Sequence, residues 1–434
     1  MIISDNLKKL SKIFHKASPL YIVGGYVRDF LLSKHTNDVD ICSSLTTLEV
    51  VDLLKNTQFT TNIVNEKLGT IIISIDNEKY EYTPFRKDNY TLDGSHSPNN
   101  IVFNVDIKED YLRRDFTVNG LYYDIQNDKI IDMDKSLSDL ENKLICTIRE
   151  PEITFTEDAL RLFRMIRQAV VLSFNIEENT LFTGRKCSKL IKMLSKERII
   201  EEFEKTIEKV DFDGMLDYVE LLNNSSIISS LYDEKIKIGS YKVVDGLAVY
   251  NPTIEFLYLA IFERYFYNTL DFVNGFKVDS FDSIVVVKRK IYDRIDKIFA
   301  NDKLPNKVRK NIYELISFTR LLVEVKNEMQ LDILLTHYYN IIITLLLEKQ
   351  SKIMVRNTII IDTVSRFITL KDTKPMLVKE LKITGSDLQK LGVKKEETSV
   401  VLQKLLENVI LDKVNNDYDS LVDFVKEDRW KILL

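Results

Sequence analysis

The sequence predicts an α+β protein in which a small α/β head precedes a long helical chain. Strand patterns and tight turns dominate the first 150 residues, whereas apolar residues recur at helical spacing from there to the end. With 434 residues the chain is too long for one ordinary core, so we expect two to four domains.

The head is predicted from short strands that end in turn residues. "LYIVGG" is an apolar run that ends in two glycines. "GTIIISIDNEKYEYTPF" reads as two strands around Asp76 and Asn77, and "LYYDIQNDKIIDM" as a second hairpin around Asn127 and Asp128. Helices are predicted at "VRDFLL", directly after the glycines, and over roughly 46–55.

The helical part begins with "TEDALRLFRMIRQAVVLSF". Its apolar residues recur at spacings of three and four, which predicts one amphipathic helix. Thr156 is a suitable N-cap because two acidic residues follow it. We therefore expect a single helix from this threonine onward, and further helices through to Leu434.

Composition indicates a soluble globular protein. The hydrophobic fraction is 45% and the charged fraction 29%, and only 12 Gly and 7 Pro argue against long flexible linkers. The three cysteines form no CxxC pair, which suits a reducing compartment. The N-terminus lacks the apolar core of a signal peptide, and the apolar run at 341–347 is too short to cross a bilayer. We expect a cytoplasmic protein that does not enter membranes.

The net charge of −5 is mildly unfavourable for a nucleic-acid-binding protein. Basic residues nevertheless cluster at two places in the helical part. The clusters contain Arg185, Lys186, Lys189, Lys192 and Lys196, and then Lys288, Arg289, Lys290, Lys303, Lys307, Arg309 and Lys310. Each cluster is compatible with a solvated helix face or with a surface for nucleic acid.

The chemistry begins at "YIVGGYVRDFLLSKHTNDVDI". Gly24 and Gly25 allow the backbone to approach a ligand closely, and Arg28 adds a positive charge next to them. In an extended segment, Asp38 and Asp40 point to the same side. Two adjacent carboxylates repel each other unless a cation lies between them, and Mg²⁺ is the oxygen-preferring cation that also binds triphosphates. The alternative for the aspartates alone is a solvated loop.

Two further groups of residues carry possible chemistry. Glu81 lies on a predicted strand that could pair beside the aspartates, where it would bind metal or accept a proton. Its alternative is a glutamate on an exposed strand face. Asp158, Arg161 and Arg164 recur at steps of three, so they could lie along one helix face and read the edge of a base. Their alternative is an ordinary surface ion pair.

Five segments, taken in order, resemble the motifs of class II tRNA nucleotidyltransferases, which are the CCA-adding enzymes and the bacterial poly(A) polymerases. The segments are "GGYVRDFLL" with "DVDI", "YLRRDFTVNGLYYD", "EDALRLFRMIR", "LSKERIIEEF", and "LKITGSDLQKLGV" with "VLQKLLENVILDKVNN". Residues 206–370 match only as generic helices.

The resemblance implies a polymerase-β-like nucleotidyltransferase head followed by a helical neck, body and tail. The implied domains are a catalytic head at 1–150, a nucleotide-selecting neck at 151–205, a body at 206–320 and a tRNA-binding tail at 321–434. The implied partners are the acceptor end and elbow of tRNA, with CTP and ATP as substrates. No protein partner is evident from the sequence.

The resemblance also implies the reaction, which is the addition of C, C and A to the 3′ end of tRNA with release of pyrophosphate. Asp38, Asp40 and Glu81 would be catalytic, and Asp38 and Asp40 would hold Mg²⁺. The nucleotide would be bound by Gly24, Gly25, Arg28, Arg114, Asp115, Asn119, Asp158, Arg161, Arg164 and Arg167. A CC-adding enzyme, an A-adding enzyme, a poly(A) polymerase and an inactive RNA-binding protein remain as alternatives.

One loop departs from the family pattern. "FRKDNYTLDGSHSPNNIVF" contains Arg86, Tyr90, Asp93, His96 and Pro98, but serines flank the histidine where the family has an arginine. In the family this loop helps to change the specificity from C to A. The sequence therefore leaves open which nucleotides are added.

Overall fold

The computed structural model describes residues 3–232, except positions 35, 37 and 96, and much of the chain from 253 to 427. Within that second range it omits 270–272, 274–275, 300–303, 323 and 344–357. His96 and Lys303, named above, therefore lie outside the described residues. The chain divides into two compact units: residues 1–202 with 220–233, and residues 203–219 with 234–434.

The centre of the head is a seven-stranded mixed sheet. Its strands are β1 (Tyr21–Val23), β2 (Asp40–Ser43), β3 (Thr60–Asn65), β4 (Thr70–Ile75), β5 (Glu78–Pro84), β8 (Tyr122–Asp124) and β9 (Lys129–Ile131). The order across the sheet is β3-β4-β5-β2-β1-β8-β9. Strands β2 and β5 pair in parallel, and the other neighbouring strands of this sheet are antiparallel. Both predicted hairpins are confirmed.

Side-chain alternation along β5 decides which face of the sheet is covered. Tyr80 and Tyr82 are buried, whereas Glu81 between them is exposed. Tyr82 packs against Phe14 of the first helix, with ring centroids 5.7 Å apart. The face that carries the tyrosines is therefore covered by helix, and Glu81 lies on the open face.

Short helices connect the strands of the head. They are α1 (Asp5–Phe14), α2 (Gly25–Leu31), α3 (Thr47–Leu54), α4 (Ile107–Leu112) and α5 (Ser136–Glu141). Helix α3 begins with a capping box between Thr46 and Glu49, which explains why the sequence signal was clear. The predicted helices after the glycine pair and at 46–55 are confirmed.

The loop between β5 and α4 contains a hairpin that the sequence analysis did not predict. Strands β6 (Arg86–Asn89) and β7 (Asn100–Phe103) pair in antiparallel fashion, with Arg86 opposite Phe103. The strand signal was weak because β6 consists entirely of polar residues. An ion pair of 2.8 Å between Arg86 and Asp88 lies on this strand.

The expected single helix from Thr156 was wrong. Helix α6 (Pro151–Glu157) ends before Asp158, and helix α7 (Leu160–Leu172) starts after it. Thr156 is not an N-cap, because its hydroxyl donates to the Glu152 carbonyl at 2.6 Å within α6. Asp158 itself has an extended backbone, and a backbone contact from the head loop holds this break.

Helices account for most of the remaining described chain. They are α8 (Glu178–Cys187), α9 (Lys196–Ile207), α10 (Phe212–Asn224), α11 (Ile227–Leu231), α12 (Ile254–Thr269), α13 (Phe281–Phe299), α14 (Asn306–Leu322), α15 (Glu328–His337), α16 (Tyr339–Ile341), α17 (Thr358–Thr373), α18 (Gly385–Lys390), α19 (Thr398–Ile410) and α20 (Tyr418–Lys426). Short strands β10 (Leu144–Ile145) and β11 (Asn175–Ile176) pair in parallel beside α7.

The second unit has an aromatic core. Phe299 contacts Tyr258 and Phe262 edge to face, with centroid distances of 5.5 and 5.1 Å. Across the described residues, no helix is long and apolar enough to cross a membrane. The prediction of an α+β head followed by helices is confirmed.

Candidate functional site

The sheet brings two of the predicted carboxylates side by side. Asp40 begins β2, and Glu81 lies directly opposite it in the parallel pairing with β5. The Glu81 N–H donates to the Val39 carbonyl at 3.2 Å, which fixes this register. Asp38 lies two residues before the strand and is exposed. Three carboxylates therefore occupy neighbouring positions around the start of β2.

The electrostatics of this group favour a bound cation. Burial, followed by the charges of Asp38 and Glu81, raises the pKa of Asp40 to about 7, while Arg114 opposes the shift. The pKa of Glu81 is also raised, first by partial burial of its carboxylate and then by the charge of Asp38. A raised pKa means that the negative charge of the carboxylate is poorly compensated by its surroundings. A cation between these carboxylates would compensate the charge and restore their ionised form.

The glycine turn lies against the same carboxylate. Gly24 caps helix α2 with φ of +75°, a conformation that side-chain-bearing residues rarely adopt. A Cβ built on Gly24 would lie 4.0 Å from Oδ2 of Asp40 and 3.9 Å from Nη1 of Arg114. The first glycine of the turn therefore lies next to the Asp40 carboxylate and the Arg114 guanidinium.

A buried aspartate that the sequence analysis did not name holds the Arg114 side chain. Asp110 is fully buried and accepts hydrogen bonds from Nε of Arg113 at 2.8 Å and Nη2 of Arg114 at 2.8 Å. The Tyr122 hydroxyl donates to the same carboxylate at 2.7 Å. Burial alone would raise the pKa of Asp110, but the charges of Arg113 and Arg114 more than offset it and hold the pKa well below its usual range.

Replacing Asp110 with asparagine is expected to destabilise the fold by about 3–5 kcal/mol, because it leaves two guanidinium groups without their buried counter-ion. The lowered pKa of Asp110 adds a pH dependence. The stabilisation is fully present above the pKa of this group in the unfolded state, near 4, and is lost as the pH falls through its pKa in the folded state. Urea denaturation at pH 7 and pH 3 measures both effects. Asp106→Asn is the control, because this N-cap of α4 is exposed and asparagine caps equally well. A loss equal to that of the control would contradict the role given to Asp110.

A chain of hydrogen bonds joins the glycine helix to α7. Nη1 of Arg28 donates to Oδ1 of Asn119 at 2.5 Å and to Gln168 at 3.2 Å. Nδ2 of Asn119 donates to Asp115 at 3.3 Å, and Nε of Arg164 donates to the other Asp115 oxygen at 2.7 Å. Burial opposes the shift, but Arg164 lowers the pKa of Asp115 to about 2. Four of the predicted nucleotide-binding residues thus form one connected network.

The break between α6 and α7 carries Asp158 and Arg161. Oδ1 of Asp158 accepts from the Leu160 N–H at 2.9 Å, and its Oδ2 lies 3.9 Å from Nε of Arg161. Arg161 donates to the carbonyls of Thr154 at 3.2 Å and Arg113 at 2.9 Å. The prediction that Asp158 lies on one helix face with the arginines was wrong, because Asp158 precedes the helix. The two side chains are nevertheless adjacent and oriented.

The head loop docks on this break. The Gly94 N–H donates to the Thr156 carbonyl at 2.6 Å, and the Ala159 N–H donates to the Gly94 carbonyl at 3.1 Å. The Tyr90 ring lies 5.7 Å from the Arg161 guanidinium. The loop therefore contacts the backbone on both sides of Asp158.

Replacing Gly94 with alanine is expected to cost about 1–3 kcal/mol of stability. Its φ is +82°, and a Cβ would lie 2.9 Å from Cβ of Leu190 and 3.3 Å from Cβ of Ala159. Gly392→Ala is the matched control, because Gly392 has φ of +92° with no heavy atom within 4 Å of its Cβ position. The excess loss at Gly94 over Gly392, measured by thermal unfolding, isolates the steric clash. Equal losses would contradict it.

Arg167 pairs with a residue that the sequence analysis did not name. Its Nε donates to Glu202 at 2.8 Å, and both side chains are buried. Asp110, Glu202 and Gly94 are the residues that the sequence analysis missed. A signal existed for Asp110, since it precedes Arg113 and Arg114 by three and four residues on a helical segment. The other two contacts join segments distant in the sequence, for which no local signal exists.

Comparison with known proteins finds two family models that match parts of this chain. Residues 20–146 match the family model of the poly A polymerase head domain, and residues 173–217 match a model described as a probable RNA and SrmB-binding site of polymerase A. The first part of the chain is therefore similar to the poly A polymerase head domain. The resemblance inferred from the ordered motifs is therefore confirmed.

Curated proteins similar to this chain include CCA-adding enzymes. The enzyme of Streptococcus gordonii is 37% identical over 203 residues, which are 47% of this chain and 49% of that enzyme. The enzyme of Pediococcus pentosaceus is 40% identical over 197 residues, which are 45% and 48% of the two chains. The chain thus matches about half the length of these curated relatives.

Solved structures resemble the fold over nearly the whole chain. A Bacillus stearothermophilus CCA-adding enzyme in complex with CTP has a TM-score of 0.60 at 19% identity, covering 99% of both chains. An apo form II of a CCA-adding enzyme has a TM-score of 0.68 at 18% identity, covering 98% of this chain and 96% of that one. The head and the helices after it therefore follow a known fold.

Proposed function

We propose that the protein transfers nucleotides from CTP and ATP to the 3′ end of tRNA and releases pyrophosphate, adding C, C and A. The relatives that carry the name CCA-adding enzyme support this reaction, as do the solved folds with CTP and with ATP. The observation that carries the proposal is the pairing of Asp40 with Glu81 on the open face of the sheet, next to Gly24 and Arg114.

The residues present fit a divalent cation, for which we propose Mg²⁺. Among the described residues, no three His, Cys, Asp or Glu side chains converge closely enough to hold a metal by themselves. Mg²⁺ is commonly bound through one or two carboxylates together with substrate phosphates and water, which suits Asp38 and Asp40. When bound there, Mg²⁺ would neutralise the charge that develops on the phosphates.

The protein's own residues would then perform three tasks. Asp38 and Asp40 would hold the cation that binds the triphosphate. The raised pKa of Glu81 suits a group that accepts the proton of the attacking 3′ hydroxyl. The 3′ oxygen forms a bond to the α-phosphorus while the bond to pyrophosphate breaks. Arg114, held by its buried aspartate, presents a fixed positive charge to the triphosphate at the glycine turn.

We assign the ribose and the base to the network around α7. Asp115, ionised at neutral pH, would accept hydrogen bonds from the ribose hydroxyls, and Arg28 and Asn119 would hold it in place. Asp158 would accept from the exocyclic amine of cytosine or adenine, and Arg161 would donate to the ring acceptor next to it. Uracil and guanine lack that amine at the same position, so their selection would cost the carboxylate its hydrogen bond to the base.

The helical chain after the head would bind RNA. We propose that the neck at 151–205 holds the incoming nucleotide and that the body and tail, 206–320 and 321–434, hold the acceptor stem and elbow of tRNA. Recognition there would depend on shape and phosphate contacts, as is usual for A-form RNA. The three cysteines are buried and free, which suits a reducing cytoplasmic compartment.

The proposal is tested by single-nucleotide extension with magnesium. The substrates are tRNA transcripts that end at the discriminator base, at C and at CC, together with an unrelated RNA. We expect ordered addition of C, C and A to tRNA only, and no addition when EDTA replaces magnesium.

The other outcomes separate the alternatives. Addition that stops after CC, or that occurs only on the CC-ended tRNA, would make the protein one of a pair of enzymes. Repeated addition of A to every RNA would make it a poly(A) polymerase. No addition with any substrate would overturn the proposed activity.

A further inference from the structure

The second unit contains a cleft that none of the assignments above uses. Its cavity volume is about 520 Å³. The cleft is lined by lysines from α13 and α14, by the end of α15, and by segments around 376–378 and 403–406. A cleft of this size accommodates one nucleotide.

The cleft carries uncompensated positive charge. Nζ of Lys288 donates to Glu314 at 2.5 Å, so these two lining charges neutralise each other. Lys307 and Lys310 line the same cleft, are exposed, and form no ion pair with any carboxylate of the described residues. With a spacing of three on α14, the two side chains lie on one helix face. The cleft therefore has two positive charges available to an anion.

Part of the lining of the cleft is aromatic. His337, Tyr338 and Tyr339 follow one another where α15 ends and α16 begins, and all three line the cleft. Nζ of Lys288 lies 5.1 Å above the Tyr338 ring, and the Tyr338 hydroxyl donates to Ser317 at 2.8 Å, so this ring is fixed. Burial and then Lys288 lower the pKa of His337 to about 4, so its imidazole is neutral at pH 7. Neutral imidazole and phenol rings are surfaces on which bases stack.

We propose that this cleft binds a nucleoside phosphate, with its phosphates on Lys307 and Lys310 and its base against the wall formed by His337 and Tyr339. An inorganic anion would use the lysines but leave the aromatic wall and most of the volume empty. We assign the bound nucleoside phosphate to an unstacked nucleotide of the RNA substrate. Only this assignment rests on the proposed function. Free CTP or ATP has the same chemistry and is distinguished by experiment.

The test uses the full-length variant Lys307→Gln with Lys310→Gln, which removes both charges from exposed positions. Lys9→Gln with Lys12→Gln is the matched control, because these lysines are exposed and have the same spacing of three on α1 of the head. Fluorescence anisotropy measures the binding of labelled tRNA over a range of salt concentrations. Equilibrium dialysis with radiolabelled CTP and ATP counts bound nucleotides per chain.

For RNA as the source, we expect tRNA to bind about tenfold more weakly near physiological salt. The slope of log affinity against log salt should fall by about 1–2, as expected for the loss of two phosphate contacts. The control should change the affinity by less than about twofold. For a free nucleotide as the source, tRNA affinity stays constant and the number of bound nucleotides per chain falls by one.

Unchanged tRNA affinity together with an unchanged nucleotide count would overturn the cleft assignment. So would an equal loss of affinity in the control, since the effect would then reflect total charge alone. Both measurements are of binding, so they remain decisive even if the parent protein adds no nucleotide in the extension assay. Failure of the cleft assignment and failure of the proposed activity are therefore distinguishable.

Discussion

Replacing Asp40 with asparagine is expected to lower kcat for nucleotide addition by at least about 10³-fold. The substitution removes the carboxylate that lies nearest to the glycine turn and opposite Glu81. Charge stabilisation by a bound metal contributes several kcal/mol to the transition state, and each 1.36 kcal/mol corresponds to about tenfold in rate. Single-turnover extension of tRNA with CTP at saturating magnesium measures the effect.

The same substitution is expected to stabilise the metal-free fold at pH 8, by an amount on the order of 1–3 kcal/mol. The pKa of Asp40 is raised to about 7 by burial and by its carboxylate neighbours, so the folded state binds this proton more tightly than the unfolded state does. Stability of the parent therefore falls as the pH rises from about 4 through 7. Asparagine has no such charge, so the difference in melting temperature between variant and parent should grow over that interval.

Asp76→Asn is the control for both measurements. Asp76 lies in the turn between β4 and β5, at φ of +49°, a conformation that asparagine tolerates well. The Asp76→Asn substitution makes the same chemical change on the same sheet. It should leave the extension rate within about twofold of the parent. If Asp40→Asn retained more than a tenth of the parent's kcat, the carboxylate would not be a catalytic metal ligand.

Replacing Asp158 with asparagine is expected to change which base is added. The asparagine oxygen can still accept from the Leu160 N–H, so the backbone corner is preserved. The second oxygen becomes an amide that donates, which mismatches the exocyclic amine of cytosine and matches the carbonyl of uracil. We expect kcat/KM for CTP to fall by about 10²–10³-fold while that for UTP rises or stays constant.

Single-nucleotide extension with each of the four nucleoside triphosphates measures this change. Glu152→Gln is the control, because Glu152 is an exposed residue of α6, the helix that ends at the same corner. It should leave the ratio of CTP to UTP addition within about twofold of the parent. Equal losses for CTP and UTP in Asp158→Asn would show that the aspartate supports the site without reading the base.

Most of the head could be predicted because its signals are local. The two hairpin turns, the capped helix α3 and the glycine pair after β1 each depend on residues within a few positions of one another. The alternation of side chains along an extended segment placed Asp38 and Asp40 together. The ordered motifs then indicated the resemblance to a family, which is why candidate residues could be named from the sequence.

The contacts between distant segments could not be predicted. Whether Glu81 lies opposite Asp40 depends on strand register, and a slip of one residue would turn it to the covered face. The break at Asp158 depends on the backbone of Gly94, more than sixty positions earlier in the chain. A local helical period contains no information about such a contact, so the expected single helix was wrong.

The sequence by itself determined the class of fold, the resemblance to a family and the types of residue at the candidate site. These follow from turn preference, side-chain period and motif order, all of which act over short stretches of chain. Only the tertiary structure decided which carboxylates meet, that Asp110 holds Arg114, and that Arg167 pairs with Glu202. The reason is physical: hydrogen bonds and ion pairs between distant segments form only where packing and register bring their atoms within about 3 Å.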